Sequence, residues 1–168
     1  MFHVQGKRPA SPGWTQAGLL RDTMETTRDL TAGDFSNAGY VSSQIKQILK
    51  QLNIPPKVIK RIVIALYEAE VNVVAHSLGG KVTCSITPEI IDITVADNGP
   101  GIPDLDLAMT EGYSTASEEI REMGFGAGMG LSNIKKNVDS LDISTGPGSP
   151  TVITMQVNLQ SERKESQQ

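Results

Sequence analysis

Cysteine and histidine are almost absent from this sequence. Cys84 is the only cysteine in 168 residues, which excludes an internal disulfide and any zinc site built from several cysteines. This usage suits a reducing cytoplasm. His76 is the only histidine in the part of the chain that we expect to fold, because His3 lies close to the start. One histidine is too little for a histidine-metal centre or a Ser-His-Asp triad, so we expect His76 to pack at a helix end.

Long apolar runs and runs of basic residues are also missing. The longest uninterrupted apolar stretch is 62–66, far short of the roughly 20 residues that cross a bilayer, and residues 1–20 lack the apolar core of a signal peptide. Lys and Arg number 15 against 19 Asp and Glu, a net charge of −4. No membrane anchor and no bulk positive field for nucleic acid are therefore expected. These absences predict a soluble, cytoplasmic protein with one domain.

Glycine, in contrast, is concentrated in one segment. Seven of the 16 glycines fall within residues 99–130, where an even spread would put about three. Glycine does not recur at every third position and prolines number only nine, so a collagen-like chain is excluded. The flanking segments have ordinary apolar patterning. One segment of a globular domain therefore needs unusual backbone freedom.

Periodicity divides the chain into three parts. We expect residues 1–27 to be disordered or loosely attached, residues 28–160 to form one domain, and residues 161–168 to be a frayed tail. Helical spacing predicts helices near 37–52, 57–77 and 130–141, the first capped by Ser36. Alternation predicts strands near 28–32, 82–86, 91–95, 142–145 and 151–159. This order predicts the α+β class, a two-layer sandwich of helices on a mixed, mostly antiparallel sheet.

The first cluster of chemically capable residues is on the second helix. Glu68 and Asn72 are four residues apart and project from one side, among the small or apolar Ala65, Val71 and Ala75. A glutamate can take a proton from a hydroxyl, and an asparagine oxygen can bind Mg²⁺. The alternative is a solvated helix edge, since glutamate is a good helix former.

The second cluster is Asp97-Asn98-Gly99-Pro100-Gly101. Asp97 has the parity of the inward residues of the preceding strand, so its carboxylate can accept a hydrogen bond from a ligand held against that strand. The alternative is a hairpin turn, because Asn-Gly after a strand is a strong turn signal. The two prolines at 100 and 103 remove ladder donors from any returning strand, which favours a ligand-facing loop.

The third cluster is the run of glycines at 124, 126, 128 and 130, which opens into a helix. Glycines at a helix N-terminus suit anion binding through exposed N–H groups. No Lys-Ser/Thr follows, so the run is not a P-loop, and its spacing also departs from the dinucleotide fingerprint. A flexible hinge without a ligand is the alternative.

The order of the clusters is more specific than any one of them: Glu-x-x-x-Asn on a helix, Asp-x-Gly-x-Gly after a strand, then Gly-x-Gly-x-Gly before a helix. This order resembles the N, G1 and G2 boxes of the GHKL superfamily of ATPases and kinases. Segments 99–104, 111–115 and 128–131 are similar to the small bacterial serine kinases that control sigma factors by partner switching, the RsbT-like switch kinases first and the RsbW-like anti-sigma kinases more distantly. The resemblance covers about residues 28–159 and implies the histidine-kinase-like ATPase fold.

The resemblance implies catalytic roles for the first and third clusters. Glu68 would be the general base toward the acceptor hydroxyl, and Asn72 would be the Mg²⁺ ligand. A lid over the phosphates of ATP would be formed by Gly126, Gly128 and Gly130.

The resemblance also implies an adenine site. Asp97 would accept from the adenine amino group, and Gly99 and Gly101 would let the backbone and the ring approach each other. Thr151 would lie near the adenine, although the family's usual Gly-Thr is Gly148-Ser-Pro-Thr151 here. Arg121 has no assigned role and would meet either phosphate or solvent.

The activity implied by the resemblance is that of an ATP- and Mg²⁺-dependent serine/threonine protein kinase. Its substrate would be a small STAS-type (anti-anti-sigma) protein, with a sigma factor or another effector as a further partner. Phosphoryl transfer fits these residues, because it needs charge neutralisation, an aligned hydroxyl and exclusion of water rather than covalent chemistry. The alternative is a nucleotide-gated anti-sigma or partner-binding module with little or no phosphotransfer.

Overall fold

The computed structural model describes residues 23–160. Two helices follow the first strand, and a 3₁₀ turn at Phe35–Asn37 precedes them. The elements in chain order are β1 (Met24–Leu30), α1 (Tyr40–Gln51), α2 (Pro56–His76), β2 (Gly80–Ile86), β3 (Ile90–Asp97), α3 (Leu105–Ala108), α4 (Glu118–Glu122), α5 (Gly130–Asn137), β4 (Ser140–Gly146) and β5 (Ser149–Asn158).

The strands form one sheet in the order β1-β2-β3-β5-β4. Every neighbouring pair within the described residues is antiparallel, so the prediction of helices on a sheet is confirmed but the sheet is not mixed. The connection from β1 to β2 explains the difference. A single crossover helix would give a parallel pair, whereas the pair α1–α2 returns the chain to the end where β1 finished, and Leu30 is paired with Gly80.

The first strand begins earlier than the sequence predicts. It pairs with β2 from Met24, opposite Ile86, to Leu30, so the loosely attached part does not extend to residue 27. Its inward positions are hard to recognise because one of them is Arg28, whose guanidinium donates to Gln44 Oε1 at 2.8 Å and to Thr26 Oγ1 at 2.7 Å. The expectations for residues 1–22 and for the tail at 161–168 lie outside the described residues.

The core lies between the sheet and helices α1, α2 and α5, and it is aliphatic. Inward positions of the central strands alternate with polar outward ones, as the sequence predicts: Val82, Cys84, Ile86, Ile91, Ile93, Val95, Ile153, Met155 and Val157 are buried. Cys84 has no exposed surface, which confirms it as a core thiol. Burial, with a smaller contribution from Asp92, raises the pKa of this thiol to about 12, so it is an unreactive group at neutral pH.

The N-terminus of α1 is capped by a residue of α2. The helix begins at Tyr40 after Gly39, not after Ser36 as predicted. The Glu70 carboxylate, 1% exposed, accepts from the backbone N–H groups of Gly39, Val41 and Ser42 at 3.0–3.1 Å. These bonds satisfy donors that an α-helix leaves free at its start, and they fix α1 against α2.

None of the helices within residues 23–160 is both long enough and apolar enough to cross a membrane.

Candidate functional site

A cavity of about 560 Å³ lies beside α2, the end of β3, β5 and the glycine-rich segment. Its volume is in the range of small-molecule and cofactor sites. Eight of the nine site residues expected from the sequence line it: Glu68, Asn72, Asp97, Gly101, Gly126, Gly128, Gly130 and Thr151. Gly99 is not in the wall. It is buried against Ser77, where a Cβ on residue 99 would lie 2.8 Å from the Ser77 Cβ.

Helix α2 directs Glu68 and Asn72 toward the first residue of α5. A Cβ added to Gly130 would lie 3.2 Å from Asn72 Oδ1 and 3.4 Å from Glu68 Oε2. Both side chains are half-buried, which disfavours the reading of a solvated helix edge. Because residue 130 has no side chain, α5 can begin within contact distance of these two side-chain oxygens.

Oxygen atoms of these residue types would suit a Mg²⁺ ion that also binds a phosphate. Mg²⁺ prefers oxygen ligands and in phosphate sites takes only one or two from the protein. Residues 23–160 contain no group of three His, Cys, Asp or Glu side chains arranged to hold a metal ion, so a fully protein-built site is not found there. Asn72 Oδ1 would be the protein ligand of such an ion.

Asp97 ends β3 with one carboxylate oxygen anchored and one available. Its Oδ1 accepts from the N–H of Gly99 at 2.9 Å and from the N–H of Thr151 at 2.8 Å. No described residue donates to Oδ2, which can therefore accept from a ligand in the cavity. The hairpin alternative for this segment is wrong, because β3 pairs with β5 and the chain continues from Asn98 toward α3.

Beside Asp97, the part of the cavity wall that follows β3 is hydrogen-bonded to the β4–β5 hairpin. The hydroxyls of Thr151 and Thr145 are 2.8 Å apart, and Thr145 Oγ1 also accepts from the N–H of Ile102 at 2.8 Å. Gly101, at φ +78°, passes so close to the hairpin that an added Cβ would lie 1.9 Å from the Gly146 carbonyl oxygen. Glycine at 101 is thus explained by this close packing.

The glycine-rich segment is layered against residues 112–116. Gly128, at φ +77°, accepts from the Gly112 N–H at 2.9 Å, and a Cβ there would lie 2.5 Å from the Gly112 carbonyl carbon. A Cβ on Gly126 would lie 2.3 Å from the Ala116 Cβ. Close approach of two loops, and not flexibility alone, requires these glycines.

The glycine-rich segment leads into α5, whose N-terminus lies at the cavity wall. Met129 is the N-cap residue, and no side chain caps this end of the helix. The first N–H groups of α5 are therefore available to an anion, where the helix dipole is also favourable.

Two residues of the site were not anticipated from the sequence. Asn133 Nδ2 donates to Glu68 Oε1 at 2.9 Å; its position one helical turn after Gly130 is the only sequence signal for this contact. His76 lines the cavity at the end of α2 and is exposed, so the expectation that it packs at the helix end is wrong; desolvation lowers the pKa of its ring. Arg121 does not line the cavity and donates to the Ser114 carbonyl oxygen at 3.1 Å.

Known proteins resemble this chain over most of its length. The family model of the histidine kinase-, DNA gyrase B-, and HSP90-like ATPases matches residues 57–161. An anti-sigma F factor of Thermoanaerobacter sp. (strain X514) is 28% identical over 132 residues, which cover 76% of this chain and 89% of that protein. The anti-sigma F factor of Caldanaerobacter subterraneus subsp. tengcongensis is 30% identical over 124 residues, covering 71% and 83%.

A similar fold is also found among solved structures. The chain matches the crystal structure of the RsbU and RsbW domains of Rv1364c from Mycobacterium tuberculosis with a TM-score of 0.52 and 20% identity. The match covers 80% of this chain and 32% of that one. At this identity the likeness concerns the fold: helices on a five-stranded antiparallel sheet.

Proposed function

The chain belongs to the family of histidine kinase-, DNA gyrase B-, and HSP90-like ATPases, and from this membership we propose that it is a serine/threonine protein kinase. It would bind Mg²⁺ and ATP in the cavity and phosphorylate a small STAS-type partner. The observation that carries the proposal is the convergence of Glu68, Asn72 and Asp97 on one cavity that the N-terminus of α5 also faces.

Different residues of the cavity wall would bind different parts of ATP. Asp97 Oδ2 would accept from the adenine amino group, next to Thr151. Asn72 would hold Mg²⁺, which when bound neutralises charge on the phosphate oxygens. The free N–H groups at the start of α5 would bind phosphate oxygens, and the layered glycine segment would keep water away from them.

We assign to the Glu68 carboxylate the role of taking the proton of the acceptor hydroxyl. As the serine or threonine oxygen bonds to the γ-phosphorus, the bond between that phosphorus and the β,γ-bridging oxygen breaks, ADP leaves, and the hydroxyl proton passes to the Glu68 carboxylate. A positioned base of this kind contributes roughly 10²- to 10⁴-fold to rate.

The class of partner is supported by the relatives. Several are named anti-sigma F factors, and the sequence motifs resemble kinases that act on anti-anti-sigma proteins of the STAS type. A kinase in such a pathway would work in the cytoplasm, where ATP and sigma factors are present.

The test compares Glu68→Gln with wild type, using radiolabelled ATP and each STAS-domain protein of the source genome, purified singly. We expect wild type to label one of them on serine or threonine, and Glu68→Gln to lose labelling by at least 100-fold while it still binds ATP. Glu89→Gln, an exposed glutamate in the β2–β3 turn outside the cavity, is the matched control and should label normally. Absence of transfer by wild type to every STAS protein would contradict the proposal.

A second candidate function is a nucleotide-gated binding module, favoured by the anti-sigma names of the relatives. It predicts that an ATP-loaded chain captures a partner without transferring phosphate. The same experiment separates the two, since a binding module would leave every STAS protein unlabelled by wild type and by Glu68→Gln alike, although both bind ATP.

A further inference from the structure

The aromatic residues of the described part of the chain avoid the core. Residues 23–160 contain five: Phe35, Tyr40, Tyr67, Tyr113 and Phe125. None of them is buried, and the core cluster contains no aromatic residue. Large aromatic side chains contribute most to stability when buried, so five of them outside a core that uses none indicate another task.

Four of the five belong to segments that lie next to one another, since the 3₁₀ turn and the residue before α1 both contact α2. The rings of Phe35 and Phe125 have centroids 5.1 Å apart and are tilted by 40°. The Tyr67 ring lies against the backbone at Gly39, 3.1 Å from the position a Cβ would take there, and Tyr40 follows directly. Tyr40 is 60% exposed and Tyr67 37%. We call Phe35, Tyr40, Tyr67 and Phe125 the aromatic surface.

The aromatic surface is continuous with the cavity at its catalytic end. Tyr67 and Phe125 line the cavity together with Glu68, and Tyr67 is the neighbour of Glu68 in α2. A molecule that covers this surface therefore lies beside the proposed base.

The charges around the aromatic surface are predominantly negative. A smaller cavity next to Tyr40 has no basic residue in its wall, and its charged residues are Asp29, Asp34 and Glu70. Asp29 is 3.9 Å from Lys81, both exposed, and Glu70 is committed to α1. On the other side, α4 carries Glu118, Glu119 and Glu122, and its Ile120 carbonyl accepts from the N–H of Phe125. The guanidinium of Arg121 is held by the Ser114 carbonyl.

We propose that the aromatic surface docks the segment of the protein substrate that carries the acceptor hydroxyl. The inference rests on the proposed kinase function. Exposed aromatic side chains beside a site are the usual anchors of protein interfaces, and the acidic rim selects an occupant with basic residues around its apolar contacts. The substrate segment is therefore a serine or threonine flanked by apolar and basic side chains.

The surface also joins two separate segments of the chain. Phe125 belongs to the glycine-rich segment, whereas Phe35 and Tyr40 belong to the 3₁₀ turn and α1. The rings of Phe35 and Phe125 are in contact, so a molecule on the aromatic surface contacts both segments.

The test measures binding and labelling of each STAS-domain protein of the source genome by wild type, Tyr40→Ala and Glu119→Lys. We expect Tyr40→Ala to weaken partner affinity about tenfold, the size of an aromatic interface anchor, and to leave ATP affinity unchanged. Glu119→Lys should slow association with the partner, most strongly at low salt.

Matched controls are Leu78→Ala and Glu89→Lys. Leu78 is 78% exposed but does not line the cavity, and Glu89 is exposed in the β2–β3 turn. Both should bind the partner as wild type does.

The outcomes separate this inference from the kinase function. If wild type labels a STAS protein and both Tyr40→Ala and Glu119→Lys bind and label it normally, the docking surface is refuted and the kinase function stands. If wild type binds a partner without labelling it, but Tyr40→Ala loses that binding, the docking surface stands and the kinase function fails. If no STAS protein is bound or labelled by wild type, both are overturned.

Discussion

At the scale of single residues, Asn133 connects the proposed base, Glu68, to helix α5, which follows the glycine-rich segment. Its Nδ2 donates to Glu68 Oε1 at 2.9 Å, across 65 positions of sequence. The bond fixes one carboxylate oxygen of Glu68 and directs the other, Oε2, toward the space at Gly130. Asn133 is thus a positioning residue for Glu68 if Glu68 acts as the base.

We predict that Asn133→Ala lowers the kcat of phosphotransfer roughly tenfold, because a base that loses its orienting contact is misplaced more of the time. The KM for the protein partner should stay within about twofold, since Asn133 is not part of the aromatic surface. Steady-state kinetics with a labelled partner checks this split. Asn137→Ala is the control: its side chain, on the same helix, donates to the Asn133 carbonyl and not to Glu68. Equal losses in both variants would mean that Asn133 only stabilises the helix.

The sequence predicted Glu68, Asn72 and Asp97 because short-range spacing identifies them. A four-residue interval places two side chains on one side of a helix, and strand parity gives the direction of Asp97. Asn133 could not be predicted in this way, because its role depends on a partner in another helix. The same limit applies to Gly99, whose need for glycine comes from Ser77.

At the scale of elements, α1 depends on α2 for its N-terminus. Glu70 is 1% exposed and accepts three backbone N–H groups at the start of α1. We predict that Glu70→Gln lowers the free energy of unfolding by about 3 kcal/mol, because the amide supplies one acceptor and turns an N–H₂ donor toward backbone donors. Urea denaturation followed by circular dichroism measures the change.

The control for Glu70 is Glu118→Gln, an exposed first-turn residue of α4 whose loss should cost under about 0.5 kcal/mol. If Glu70→Gln were no more destabilising than Glu118→Gln, the capping role of Glu70 would be wrong.

Elements with strong periodicity were predicted closely, and the errors lie where one pattern fits two structures. The predicted helix at 57–77 is found at Pro56–His76. The predicted helix at 130–141 ends at Asn137, because Leu141 belongs to β4, where it is paired with Met155. Helical spacing from Ile134 through Val138 to Leu141 cannot reveal this, since the competing contact is with a later strand. The start of strand β1 was predicted too late in the sequence for a similar reason. Arg28 can occupy an inward position because its guanidinium donates a hydrogen bond to Gln44 on α1.

At the scale of the whole molecule, composition and element order were enough for the fold class, whereas the shape of the site was not. Helices on a sheet follow from the predicted elements. The packing of residues 112–116 against 126–128 could not be predicted from those elements, because glycine gives no side-chain pattern to read. Residues 126 and 128 are glycine because a Cβ at these positions would collide with Ala116 and with the backbone of Tyr113. The cavity is therefore a property of the assembled chain.

Because the cavity is bounded by α2, β3, β5 and α5 together, a ligand that fills it should stabilise the whole domain. We predict that Mg²⁺ and ATP at about 100 times the Kd raise the free energy of unfolding by about 2.7 kcal/mol, or the Tm by roughly 8 °C for a domain of this size. Differential scanning fluorimetry measures the shift.

Asp97→Asn should abolish this shift in Tm. An amide has one oxygen, so it cannot both accept from Gly99 and Thr151 and accept the adenine amino group at a second oxygen. Asn72→Ala should keep a shift with ATP but lose its dependence on Mg²⁺. A wild-type Tm that stays constant up to millimolar ATP, with and without Mg²⁺, would show that the cavity is not a nucleotide site.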